Sequence, residues 1–184
     1  VSSLRMDYGF TYEEMKELSK DFKVVLNAST INDQTSKYLE AVGFDLSDIT
    51  VCHNFYPREN TGLGREFLYE RNAYLSKKGF RIQAFIVGDE EKRGPIYAGL
   101  PTLEEHRHAD PVYAYLDLME NFFVYEVLVG DIEMSQASLD RLDKWIKDEV
   151  ITLPLDSLYG DVPSVFNDDH VNRPDVAEDV VRSS

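Results

Sequence analysis

The chain has little cysteine, little tryptophan and no clustered positive charge. Of its 184 residues one is Cys, at position 52, and one is Trp. A lone cysteine excludes an internal disulfide framework and favours a reducing compartment. Lys and Arg number 19 against 34 Asp and Glu, a formal net charge of -15, and no Lys/Arg run relieves it. Such a field repels a phosphate backbone, so neither nucleic acid nor an anionic membrane is expected as a partner. A small anion stays compatible with this balance if a few arginines line one pocket. No run reaches the roughly 20 apolar residues of a membrane span, and the first residues lack the charged and apolar regions of a signal peptide.

What is present reads as globular: 43% of residues are hydrophobic and 12% aromatic, enough for a sizeable core. Five apolar runs recur, "SLRMDYG", "KVVLNAS", "ITVCHNF", "RIQAFIVG" and "VYEVLVG", each followed by a segment of helical period. That alternation predicts βα units around a parallel sheet. "TYEE" (residues 11–14) and "TLEE" (residues 102–105) match capping boxes at helix starts. Gly43 and Gly79 suit helix ends. The helices are expected to pack through Met15 and Leu18; Tyr38, Leu39 and Val42; Phe67, Leu68, Tyr74 and Leu75; Val112, Tyr113, Leu116 and Met119; and Leu139, Leu142 and Ile146. The strand runs are nearly continuous in apolar residues, as in a (β/α)8 TIM barrel whose interior is filled by side chains. Five strands do not close such a barrel, so about three βα units are expected before Val1. Residues 1–148 form the barrel portion in this reading. Residues 149–184, with prolines and β-branched residues but no helical period, read as the start of a truncated β-rich domain.

Polar residues gather at the carboxyl ends of the predicted strands, where barrel enzymes place their chemistry. Asp7, Asn27, His53 with Asn54, and Asp131 all stand there. A carboxylate in a partly dry pocket can act as acid, base or nucleophile, which makes Asp7 the first catalytic candidate. In "CHNFYPR", His53 can exchange protons, Asn54 and Tyr56 can orient hydroxyl or amide groups, and Arg58 can grip an anion through two bonds. Alternation along an extended chain forbids all of them facing one ligand without a bulge. In "GLPTLEEHR", Glu104 is the second catalytic candidate; Glu105, His106 and Arg107 are candidate binding groups, Glu105 doubling as a helix cap. Arg173 in "NRPD" is a further candidate grip. With no HxH, HExxH or cysteine pair, neither a metal nor another cofactor is expected.

Taken together and in order, "LRMDYGF", "VVLNAST", "CHNFYPRENTGL", "AFIVGD", "GLPTLEEHR" and "HVNRPD" resemble the bacterial 6-phospho-N-acetylmuramidase family, once described as outer surface proteins of unknown function. The resemblance implies a (β/α)8 barrel, here strands four to eight, joined to a cyclophilin-like β-domain. It also implies a cytoplasmic glycosidase cleaving the disaccharide N-acetylmuramic acid 6-phosphate–N-acetylglucosamine in peptidoglycan recycling. Two carboxyl groups commonly serve such chemistry, here Asp7 and Glu104, with Glu105 and Asp131 behind them. Arg58, Arg107 and Arg173 would meet the phosphate and lactyl carboxylate, the last from the second domain. Two other readings compete. A barrel aldolase or isomerase acting on a sugar phosphate would want a Schiff-base lysine or a paired acid and base, and no lysine stands at a strand end, which counts against the lysine route: Lys23 opens its run and Lys77 and Lys78 close a helix. A carbohydrate-binding or surface-interaction protein would tolerate loss of both carboxylates while still binding its ligand.

Overall fold

A computed structural model describes residues 2–154, 169–171, 173–175, 177–180 and 182. Contacts divide the chain into two units, Val1–Val150 and Ile151–Ser184. In the first, five strands run parallel in sequence order: β1 (Ser3–Arg5), β2 (Lys23–Asn27), β3 (Thr50–Cys52), β4 (Arg81–Ile86) and β5 (Glu126–Val129). They form a curled half-barrel sheet. Five helices connect and follow them: α1 (Tyr12–Leu18), α2 (Asp33–Ala41), α3 (Arg65–Lys77), α4 (Pro111–Asn121) and α5 (Gln136–Asp148). No helix among the described residues is long and apolar enough to cross a membrane.

Local chemistry explains most helix ends. Thr11 and Glu14 form the reciprocal capping box of α1. Gly43 and Gly79 follow α2 and α3 at φ +91° and +97°, a region open to glycine and costly for other residues. The second expected box does not form. Thr102 instead donates to the Asn54 carbonyl at 2.9 Å and accepts from the Phe85 N–H at 3.0 Å. The long helix begins later, capped by Asp110 with Pro111 at its first position.

The ladder register pairs Arg5 with Val25, Val25 with Thr50 and Thr50 with Arg81. Alternate residues therefore share a face. One face, with Val24, Leu26, Val51, Ile82, Ala84 and Ile86, is buried to 4% exposure or less and belongs to the hydrophobic core. The opposite, concave face carries Arg5, Lys23, Asn27, Arg81, Gln83 and Glu126, none of them buried. The expectation of strands apolar on both faces fails for β4, which alternates, its exposed Arg81 and half-buried Gln83 and Phe85 lining the polar side, while Val25 of β2 and Cys52 of β3 are buried on that same face. Helix packing also differs in places. Phe67, Tyr38, Tyr113, Leu139 and Ile146 are all exposed. Leu39, Leu68, Leu75 and Val112 carry the inner faces as expected, joined by Ala114 and Leu118.

In the second unit, the Arg173 N–H donates to the Arg182 carbonyl at 2.9 Å, and both arginines pair with Asp175, at 3.1 and 3.0 Å. Of the stretch expected to open a β-rich domain, residues 149–184, residues 155–168, 172, 176, 181 and 183–184 lie outside the described residues.

Candidate active site at the carboxyl ends of the strands

The end of β1 supplies the centre of the site. Arg5 points its Nε–H at both oxygens of Asp7, each 3.0 Å away. It then reaches across β2 to the end of β3, donating from Nη2 to Asn54 Oδ1 at 2.6 Å and from Nη1 to the His53 carbonyl at 3.3 Å. The side chains of Arg5 and Asp7 stay 30% and 34% exposed, so this carboxylate is held yet open to solvent. Asn27, at the end of β2, pairs in register with Cys52, two residues before Asn54 and on the same face. Its Oδ1 accepts from the Ser29 N–H at 2.9 Å in an Asx turn, which directs the amide nitrogen away from the backbone. Arg5 escaped the sequence reading. Its signal was the i, i+2 spacing from Asp7 on a strand, which puts both on one face.

His53 takes the opposite side. It is 1% exposed, with Nε2 2.6 Å from Asn72 Oδ1 on α3. Asn72 donates its own amide to the Phe122 carbonyl, so its oxygen accepts and the His53 proton sits on Nε2. Burial, opposed by the hydrogen bond to Asn72, takes its pKa down to about 4. The structure thus places this expected proton carrier in the core as a neutral imidazole, because strand alternation turns it toward the helices while Asn54 faces Arg5. Cys52 is buried as well, and that burial pushes its thiol up to about 11, far from a reactive thiolate.

Glu104 and Arg107 form a clamp. Glu104 Oε1 accepts from the Asn60 N–H at 2.8 Å and Arg107 Nε at 2.6 Å, and Oε2 from the Gly62 N–H at 2.6 Å and Arg107 Nη2 at 2.7 Å. Four donors, Arg107 foremost, hold its pKa near 2 against the opposing effect of burial, an environment unlike that of a general acid. Arg107 is 3% exposed and also donates to the carbonyls of Ala98, Gly99 and Arg58. Its guanidinium is thus spent inside the protein. Both residues were expected to face substrate. Instead they bind the loop after β3 to the turn at residues 104–106.

Glu105 and His106 belong to another network, centred on Asp117 of α4. Arg65 grips Asp117 through two bonds of 2.7 Å, Asn121 donates to it at 2.8 Å, and His106 Nε2 lies 2.8 Å from its second oxygen. Arg65 also pairs with Glu105. The ligand atoms of Glu105, His106 and Asp117 lie within 4.8 Å of one another, a spacing a metal could use. The Arg65 charge already fills that role, and the Asp117 oxygens are taken. Burial works to raise the Asp117 pKa, but Arg65, Asn121 and His106 overcome it and bring it down to about 2.

Asp131 is 7% exposed and accepts from the N–H groups of Gly88 and Arg93 at 3.1 and 3.0 Å, tying the loop after β4 to the end of β5. Tyr56 is half-buried, and its N–H donates to the Pro101 carbonyl at 3.0 Å. Arg58 is exposed, and its guanidinium makes no hydrogen bond or ion pair among the described residues. The open strand ends therefore bring together Arg5, Asp7, Asn27 and Asn54, while His53, Glu104, Arg107, His106 and Asp131 are engaged inside the protein. Arg173 lies in the second unit.

The family described as 6-phospho-N-acetylmuramidase, N-terminal, matches residues 1–144. A crystal structure of a conserved Enterococcus faecalis protein of unknown function superposes over 100% of this chain and 52% of its own, with 38% identity and a TM-score of 0.86. An uncharacterized B. cereus protein superposes over 76% of this chain and 42% of its own, with 28% identity and a TM-score of 0.67. The chain thus spans about half the length of the solved structures it matches. No curated protein matches it. With the match running from the first strand into α5, the chain belongs to the 6-phospho-N-acetylmuramidase N-terminal family.

Proposed function

We propose that the protein containing this chain is a cytoplasmic glycosidase that hydrolyses N-acetylmuramic acid 6-phosphate–N-acetylglucosamine, with Asp7 as a reacting carboxylate. Membership of the family supports the phosphorylated muramic acid substrate. The observation that carries the site assignment is the position of Asp7. Of the four carboxylates expected there, Asp7, Glu104, Glu105 and Asp131, it alone stands at a strand end on the concave face that also carries the carboxamides of Asn27 and Asn54. Glycoside hydrolysis commonly uses a second carboxyl group. The reading assigns Asp7 as one of the pair and leaves the saturated Glu104 out of it. Asn27, Asn54 and Tyr56 orient the sugar, and the unpartnered Arg58 meets the phosphate or the lactyl carboxylate. An acidic protein needs such a local cation to hold a dianion.

The test is release of chromophore from a 4-nitrophenyl 6-phospho-N-acetylmuramide by the full-length protein, alongside the unphosphorylated glycoside and an Asp7→Asn variant. The expected result is turnover of the phosphorylated compound alone, falling about a thousandfold or more in the variant. Full activity in Asp7→Asn removes Asp7 from the mechanism. Binding without turnover of either glycoside moves the protein to a carbohydrate-binding role.

A further inference from the structure

We propose that Arg5 is the positioning residue of this mouth: it fixes the Asp7 carboxylate and turns the Asn54 carboxamide so that only the amide NH2 group faces an incoming ligand. The inference rests on the glycosidase reading for its kinetic consequence and on geometry alone for its structural one.

A guanidinium has donors and no acceptor, so the atom of Asn54 that meets Arg5 Nη2 at 2.6 Å must be the amide oxygen. The Nδ2 group is then the free end, and no described residue accepts from it. Asn27 is set the same way by different means, because a backbone N–H occupies its Oδ1. Two carboxamides on neighbouring strands and on one face thereby have their oxygens engaged and their NH2 ends turned free. The two carboxamides are thus set to meet an acceptor oxygen on the sugar, such as an acetamido carbonyl or a carboxylate, beside the acceptor that Asp7 itself offers. Sites with committed donors reject analogues that lack the matching acceptor far more strongly than apolar pockets reject a missing methylene.

The same guanidinium restrains Asp7. Its Nε–H is shared by both carboxylate oxygens while Nη1 and Nη2 are anchored on β3. The carboxylate of β1 thus has its orientation referred to the third strand. Three directions from one planar group are what arginine supplies and lysine does not. A displacement of about 1 Å at a reacting group costs on the order of a hundredfold in rate.

The test uses Arg5→Ala and Arg5→Lys in the full-length protein, with turnover of the phosphorylated glycoside and the side-chain amide NMR signals of Asn54 read side by side. Those signals are assigned by their disappearance in Asn54→Asp. Arg5→Ala is expected to lose about a hundredfold in kcat with a smaller change in KM, to recover at least tenfold with added guanidinium ion, and to shift the Asn54 amide signals. Arg5→Lys, which keeps a charge on β1, is expected to show the same loss with the native melting temperature, so that a failure of Arg5→Ala to fold leaves the question answerable. Loss of rate without guanidinium rescue and without movement of the Asn54 signals overturns the proposal and leaves Arg5 as a strand tie. Unchanged kcat and unmoved signals overturn it as well. An inert wild-type protein overturns the glycosidase reading instead, and the Asn54 signals then decide the role of Arg5 by themselves.

Discussion

Arg107, almost fully buried, closes on Glu104 three residues earlier through hydrogen bonds of 2.6 and 2.7 Å, and Glu104 passes that restraint to the backbone of Asn60 and Gly62. Removing the carboxylate strands a buried cation. Glu104→Ala is expected to cost about 3 kcal/mol of stability, read as a lower urea midpoint. Because the folded-state pKa of Glu104 lies near 2 and its ordinary value is 4.5, its stabilisation is complete above about pH 4.5 and is lost as pH falls toward 2. A variant as stable as the wild type at pH 7 would contradict the clamp.

His53 titrates in a different window. Its folded-state pKa is about 4 against an ordinary 6.5, so the unfolded chain takes up a proton that the folded protein refuses. Stability from this group is full above pH 6.5 and declines by up to about 1.4 kcal/mol per pH unit down to pH 4. His106, whose pKa burial lowers against the pull of Asp117, adds in the same direction. Urea midpoints measured from pH 7 to 4 are expected to fall less steeply in His53→Gln. An unchanged slope would place His53 in water.

Two glycines of one loop are expected to behave oppositely. A Cβ on Gly62 would lie 2.5 Å from Glu104 Oε2 and 2.9 Å from the Glu104 Cα and N, whereas one on Gly64 meets nothing within 4 Å. Gly62→Ala therefore costs about 1–3 kcal/mol through overpacking. Gly64→Ser, at the uncapped start of α3, changes stability by less than about half a kcal/mol and in the favourable direction. Thermal melts of the two variants check both.

Asp117→Ala removes the acceptor shared by Arg65, Asn121 and His106. A loss of about 3–5 kcal/mol is expected, with turnover per folded molecule unchanged because the network faces α3 and α4. A fall in kcat at unchanged melting temperature would assign this cluster to the chemistry.

The sheet was legible because each apolar run is short, most are rich in β-branched residues, and each is followed by a helix; the Thr11 and Glu14 box, Gly43 and Gly79 all act as their local chemistry predicts. Asp7 and Asn54 could be placed at strand ends from the same runs. What the sequence could not reveal is who spends whose hydrogen bonds. Glu104 looks like a catalytic carboxylate and Arg107 like a substrate grip in one dimension, and only the approach of Asn60 and Gly62 to the one and of the Ala98, Gly99 and Arg58 carbonyls to the other shows both to be saturated. Asp117 and Arg65, 52 residues apart, carried no local signature. Thr102 and Glu105 had the capping spacing, but the β3 carbonyl of Asn54 offered Thr102 a better partner.

The clamp on the loop after β3 separates two tasks that loops usually combine. Its shape is dictated from beneath by Glu104 and Arg107, while Arg58, at its outer surface, contributes only a carbonyl to that scaffold. The Arg58 side chain is consequently an exchangeable fitting on a fixed mount: selection or design can rewrite the charge and reach of that one position, and so the ligand it favours, without reopening the question of how the loop folds.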